Sequence, residues 1–175
     1  MSKDIEFIIN PETIAVVGAT NRPGSVGHAV FSNILDAEYQ GILYPIHPTS
    51  KSVHGVRAYP RLIDVPDDID LAIVVVPAEA VPSVIEDAAQ KQVKGLLVIS
   101  AGFKESKGTG VEIESQIRKT IKENGMRLVG PNCLGVINTN KNTRMNASFV
   151  RKMPRCGNIA FISQSGALCT GVLDY

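Results

Sequence analysis

The sequence has no tryptophan, few other aromatics, no long apolar run and almost no net charge. Each absence narrows the reading. The longest apolar stretch, residues 71–76, falls far short of the roughly 20 residues a helix needs to cross a bilayer. Met1-Ser2-Lys3-Asp4-Ile5-Glu6 carries acids and no apolar leader segment, so an unanchored, cytoplasmic protein is expected. A formal charge of +1, with no basic cluster and no interleaving of basic and aromatic residues, argues against nucleic acid as a partner. Cysteine is scarce as well. Cys133, Cys156 and Cys169 are odd in number, widely spaced and form no CxxC pair, which argues against a disulfide framework and against a zinc site. No pair of carboxylates suited to acid–base work stands out, and Asp67-Asp68 and the run from Lys104 to Lys107 read as solvated surface.

What is present is an alternation of strand and helix signals. Continuous apolar runs at residues 14–17, 42–46, 71–76, 96–99 and 127–129 have strand length and lack the polar–apolar alternation of a half-exposed sheet. Helical patterns lie between most of them. One starts near Val26 with Val30, Ile34 and Leu35 facing inward; a second covers 80–90 with Val81, Val84, Ile85 and Ala88 on one face; a third covers 110–123 with Ile113, Ile117 and Ile121 spaced four apart, stopped by Asn124-Gly125. Residues 53–70 read as an irregular crossover with a short helix near 61–65. The fold class expected is α/β, a Rossmann-like doubly wound parallel sheet.

The segment Thr13-Ile14-Ala15-Val16-Val17-Gly18-Ala19-Thr20-Asn21-Arg22-Pro23-Gly24-Ser25-Val26-Gly27 reads as a buried strand, a glycine-rich loop and the start of a helix. Three glycines permit close approach of a ligand to the backbone, and the helix start offers unpaired N–H groups, so the loop is a candidate phosphate cradle. A plain tight turn is the structural alternative. The spacing Gly-x5-Gly-x2-Gly departs from the dinucleotide fingerprint, with Thr20 where its second glycine would stand, and the second strand ends in His47-Pro48-Thr49-Ser50-Lys51 without the carboxylate that binds a ribose 2′-OH. Arg22 and Lys51 instead favour a ligand with additional phosphate.

Beyond Gly130-Pro131-Asn132-Cys133-Leu134-Gly135 comes a short strand at 136–137, then an asparagine-rich stretch from 138 to 155 read as a linker with a hairpin or meander. The boundaries expected are a first domain at 1–140, a linker at 141–156 and a second unit at 157–175. In that unit Gly157-Asn158-Ile159-Ala160-Phe161-Ile162 reads as another parallel strand, and Ser163-Gln164-Ser165-Gly166 leads into a helix at 167–175. One strand and half a helix cannot bury their apolar faces alone. The expectation is therefore a truncated second domain, the alternative being a βα unit that packs back on the first domain as a seventh strand.

These motifs, in this order, resemble the N-terminal part of the ADP-forming acyl-CoA synthetases. The likeness rests on residues 14–19, Gly24-Ser25-Val26-Gly27, Val75-Val76-Pro77-Ala78, Ile99-Ser100-Ala101-Gly102-Phe103, residues 130–135 and Ile162-Ser163-Gln164-Ser165-Gly166-Ala167-Leu168. It is nearest the α part of ADP-forming acetate–CoA ligase, and the plan is similar to the α subunit of succinyl-CoA ligase and to the CoA-binding half of protein lysine acetyltransferases. The resemblance implies that residues 1–140 bind CoA, with Gly18, Ala19, Thr20, Asn21, Arg22, Gly24, Ser25 and Gly27 as cradle, Pro48 and Lys51 near phosphate, and Val76, Pro77, Ser100, Ala101, Gly102 and Asn132 along the pantetheine arm. It departs from succinyl-CoA ligase at Ala101-Gly102, where that enzyme has a carboxylate.

The resemblance also implies that 157–175 opens a flavodoxin-like ligase domain. There Ser163, Gln164, Ser165 and Gly166 would face a phosphohistidine or acyl phosphate, although an ordinary serine cap on a βα turn is the plainer reading. ATP or ADP with Mg would be held by an ATP-grasp partner domain or subunit outside this chain. The family's phosphohistidine lies in a later domain, so His28, His47 and His54 are read as structural or peripheral, and Cys133 as a small hydrophobe rather than an acyl carrier. No catalytic residue is assigned within the chain. Two other functions stay open: a stand-alone or regulatory CoA-binding module, such as that of an acetyltransferase, and an NAD(P)-dependent oxidoreductase.

Overall fold

The computed structural model describes residues 5–104 and 109–174, so most of the run from Lys104 to Lys107 lies outside the described residues. A single helical turn, α1 (Glu6–Ile9), precedes β1 (Thr13–Val17), α2 (Val26–Asp36) and β2 (Ile42–Ile46). A small hairpin of β3 (Ser52–Val53) and β4 (Val56–Arg57) and a 3-10 turn at Leu62–Asp64 make up the crossover. Then follow β5 (Leu71–Val74), α3 (Val81–Gln90), β6 (Gly95–Val98), α4 (Thr109–Glu123) and β7 (Arg127–Val129). The expected helices thus form within a residue or so of their expected bounds.

Five strands make one parallel sheet in the order β2-β1-β5-β6-β7. Successive residues of a strand face opposite sides, and both sides here are apolar. Ala15, Val17, Ala72, Val74, Leu96 and Val98 pack under α3 and α4, whereas Ile14, Val16, Leu71, Ile73 and Leu97 pack under α2. That accounts for the uninterrupted apolar runs in the sequence. Chain order reverses between β1 and β5, and ligands of open α/β sheets bind in the crevice beyond the strands' carboxyl ends at such a point.

Beside α2, on the same side of the sheet, lies an antiparallel hairpin of β8 (Gly135–Asn138) and β9 (Met145–Ser148). Met145 and Ala147 are fully buried in the α2-side core. The packing of the first unit therefore runs on to Val150, past the boundary at 140 that the sequence suggested. Polar side chains hid this. Asn146 and Ser148 alternate with the apolar residues of β9 and read as linker, yet both are buried and hydrogen-bonded.

The expected strand at 157–162 does not form, and neither does the alternative in which it joins the sheet. Ile159 and Ile162 are 90% and 93% exposed. An apolar run becomes a strand only where a neighbour offers a ladder of backbone partners, and none does so here among the described residues. The helix after it does form, as α5 (Gly166–Asp174).

Candidate functional site

A groove of about 1000 Å³ opens over the carboxyl ends of β1, β5 and β6. That is the upper end of the roughly 300–1,000 Å³ range typical of small-molecule sites. Its floor depends on two glycines. Gly18 (φ +94°) follows β1 directly, and a Cβ there would lie 2.8 Å from the Val75 carbonyl. Gly27 sits in the first turn of α2, where a Cβ would meet the Gly18 carbonyl at 2.0 Å. The helix start thus rests directly on the turn that leaves the sheet. Gly24 differs: it has φ +78°, but a Cβ there would meet nothing within 4 Å.

Ser25 caps α2, its Oγ accepting from the His28 N–H at 3.3 Å and donating to the Arg22 carbonyl at 2.8 Å. Thr20 Oγ1 accepts from the Arg22 N–H at 3.3 Å. The hydroxyls of the loop therefore shape the loop itself, leaving backbone N–H groups at the helix start for an anion. Asn21 points the other way and staples the loop to the β3–β4 hairpin: its Nδ2 donates to the Ser52 carbonyl at 3.0 Å and its Oδ1 accepts from the His54 N–H at 2.8 Å. Ala19 is fully buried beneath the loop.

Pro48 and Lys51 lie on the exposed loop after β2 and do not line the groove, although the Asn21 staple holds Ser52, the neighbour of Lys51. The second wall comes from the ends of β5 and β6. Val76, Pro77, Ser100 and Ala101 line it, while Gly102 (φ +105°) sits behind with Ala78. Ser100 ties the two strand ends together, donating to the Val76 carbonyl at 2.6 Å, and its own carbonyl accepts from the Asn132 N–H at 2.9 Å. Asn132 adopts φ +55° and lines the groove beside Cys133 and Leu134.

The first turn of α5 closes the groove from above through Gln164, Gly166 and Ala167. Ser165 Oγ caps that helix, accepting from the Leu168 N–H at 3.2 Å, and the Ser165 N–H donates to Ser163 Oγ at 3.0 Å. Two helix starts, those of α2 and α5, thus border one cavity. Among the described lining residues Arg22 is the single charged side chain. Partial positive charge at two helix ends plus one guanidinium, with no carboxylate among the described lining residues to oppose them, is a setting that favours an anion.

None of the three histidines lines the groove. His47 Nδ1 accepts from the Thr49 and Ser50 N–H groups and so shapes the turn after β2. The His28 and His54 rings meet edge-on at 4.8 Å, between α2 and the β3–β4 hairpin. Cys133 donates to the Val98 carbonyl at 3.3 Å, and burial pushes its thiol up to about 11, which keeps it protonated at neutral pH. Sequence reasoning missed Phe149, a groove-lining aromatic that lies within the polar stretch read as a linker with a hairpin or meander.

A groove at the switch point of a doubly wound sheet is where α/β proteins of the nucleotide-binding class hold their ligands. The chain belongs to the CoA binding domain family, whose model matches residues 12–139. It is 42% identical over 167 residues to 4-hydroxybutyrate–CoA ligase (ADP-forming) of Nitrosopumilus maritimus, covering 95% of this chain and 24% of that protein. It is 41% identical over 170 residues to the α subunit of acetate–CoA ligase (ADP-forming) II of Pyrococcus furiosus, covering 97% of this chain and 36% of the subunit. Acetyl-coenzyme A synthetase 1 of Ca. Korarchaeum cryptofilum, solved with phosphate and ADP, superposes with a TM-score of 0.90 at 40% identity, over 98% of this chain and 36% of that one. The likeness drawn from the motifs is borne out. The chain spans between about a quarter and just over a third of the length of these relatives.

Proposed function

We propose that this chain is the CoA-binding part of an ADP-forming acyl-CoA ligase and that the groove is its CoA site. The observation that carries the reading is the convergence of the α2 and α5 helix starts and Arg22 on one cavity at the switch point. The residues fit the ligand. CoA brings a pyrophosphate, a ribose phosphate and a neutral arm; the Gly18–Gly27 backbone and Arg22 suit the first, Lys51 the second, and Val76, Pro77, Ser100, Ala101 and Asn132 the third. NAD fits less well, since the β2 end offers His47, Pro48 and Lys51 where a ribose-binding carboxylate would be needed.

In the reaction proposed for the whole protein, inorganic phosphate attacks the thioester carbonyl, the C–S bond breaks, and CoA thiol and an acyl phosphate result. A histidine outside this chain then takes the phosphoryl group, releasing the acid, and passes it to ADP to give ATP. Mg and the nucleotide would be held by an ATP-grasp partner. The part played here is to hold CoA by its phosphates and to present its sulfur to the α5 start, where Ser163, Gln164, Ser165 and Gly166 would meet phosphate. Calorimetric titration of the chain with CoA, NAD and NADP tests this: CoA should bind tightest, and NAD binding as tightly or more so would refute it.

A further inference from the structure

The backbone on either side of Phe149 is held from inside the protein. Asn33, on α2, donates both side-chain N–H groups, one to the Ser148 carbonyl at 2.8 Å and one to the Val150 carbonyl at 3.0 Å. Asn146 donates to the same Val150 carbonyl at 3.0 Å. Ser148 Oγ donates to Asn146 Oδ1 at 2.7 Å and accepts from the Val150 N–H at 3.2 Å. Asn33, Asn146 and Ser148 are 6%, 1% and 0% exposed, so these bonds form away from water and each would be costly to leave unmade.

The residue they bracket is the opposite. Phe149 is 41% exposed and lines the groove, on the side of the sheet shared by α2 and the β8–β9 hairpin. Three buried polar side chains thus fix the backbone that presents one half-exposed aromatic to the cavity. Leu134, Val75 and Ile99 line the groove as well, whereas the anion-binding features gather at the α2 and α5 starts. A neutral ligand arm leaving the phosphate cradle can gain affinity only from apolar contact and amide hydrogen bonds, and a fixed aromatic side chain supplies contact area at little entropic cost.

We propose that Phe149 is a specificity-determining contact for the neutral arm of the CoA thioester and that Asn33 is its positioning residue. This rests on the CoA reading of the groove. The probes are CoA and adenosine 3′,5′-bisphosphate, which keeps the adenosine with its 3′- and 5′-phosphates and lacks the second phosphate and the arm, titrated into the full chain with melting followed in parallel. Phe149→Ala should weaken CoA about tenfold, the worth of one largely buried apolar side chain, and leave the bisphosphate unchanged. Phe149→Leu should recover most of the loss. Asn33→Ala should also weaken CoA selectively, yet add nothing further to a chain already carrying Phe149→Ala, because it acts through that side chain. Equal weakening of both ligands by Phe149→Ala, or no weakening, overturns the assignment of Phe149. An undiminished Asn33→Ala effect in the Phe149→Ala background overturns the positioning role. Failure of the unaltered chain to bind CoA would instead strike the CoA reading itself, and this proposal with it.

Discussion

Two apolar stretches of similar length meet different fates in this molecule. Thr13–Val17 forms the second strand across the sheet, buried throughout and paired with β2 on one side and β5 on the other. Residues 157–162 carry a comparable run, Ile159-Ala160-Phe161-Ile162, and form no strand; their two isoleucines are almost wholly exposed. The difference lies in neighbours rather than composition. A strand is a tertiary product, since its backbone groups and both its faces need partners supplied by other segments.

The largest effect expected from breaking the first region is at Gly27. Gly27→Val would drive its Cβ into the Gly18 carbonyl and lift α2 off the sheet, a backbone clash that no side-chain movement can relieve. The chain should lose its cooperative melt, at a cost of about 3 kcal/mol or more. Gly24→Ala meets open space and should cost only the roughly 1–2 kcal/mol of a non-glycine residue at positive φ. Similar destabilisation by the two variants would remove the helix-on-turn contact from the account.

The comparison sharpens in the apolar positions themselves. Ile73→Ala, in the buried centre of β5, should lower stability by about 2–5 kcal/mol in denaturant titration. Ile162→Ala should stay within about 0.5 kcal/mol, as for an ordinary surface position. A large loss at Ile162 would mean that the second stretch is packed after all.

A smaller contrast concerns the thiols. Cys156 is exposed and should react first with a thiol reagent at pH 8, whereas Cys133, raised to about 11 by burial, should react slowly until the pH approaches that value. The sign for stability follows. Between about pH 8.5, where an ordinary thiol ionises, and the folded value, the unfolded chain releases a proton that the folded chain keeps. Stability should therefore fall through that window as pH rises, and Cys133→Ala should flatten the fall. Equal labelling rates for the two thiols at pH 8 would contradict the burial of Cys133.

Much of this was legible in the sequence. The glycine loop after β1 and the helices on both faces follow from apolar runs, glycine spacing and turn residues, all of them local signals, whereas Val76 and Ser100 are singled out by the resemblance to the acyl-CoA synthetases. What escaped was long-range. The β8–β9 hairpin belongs to the core, but Asn146 and Ser148 gave it a polar appearance that their buried hydrogen bonds explain. Phe149 lines the groove on a backbone held by Asn146 and Ser148 nearby and by Asn33, more than a hundred residues earlier in the chain. The run at 157–162 misled in the opposite sense, carrying a strand's composition without a strand's neighbours. Lys51 does not line the groove, and the Asn21 staple reaches its neighbour Ser52 rather than Lys51 itself.

The most direct test of the central claim is amide hydrogen exchange of the chain with and without CoA. The account predicts slowed exchange in the Gly18–Gly27 loop, at 75–77 and 99–102, and around Asn132, with residues 157–162 exchanging as rapidly as before. Protection confined to other segments, or a cradle loop that exchanges at the same rate with saturating CoA, would contradict it.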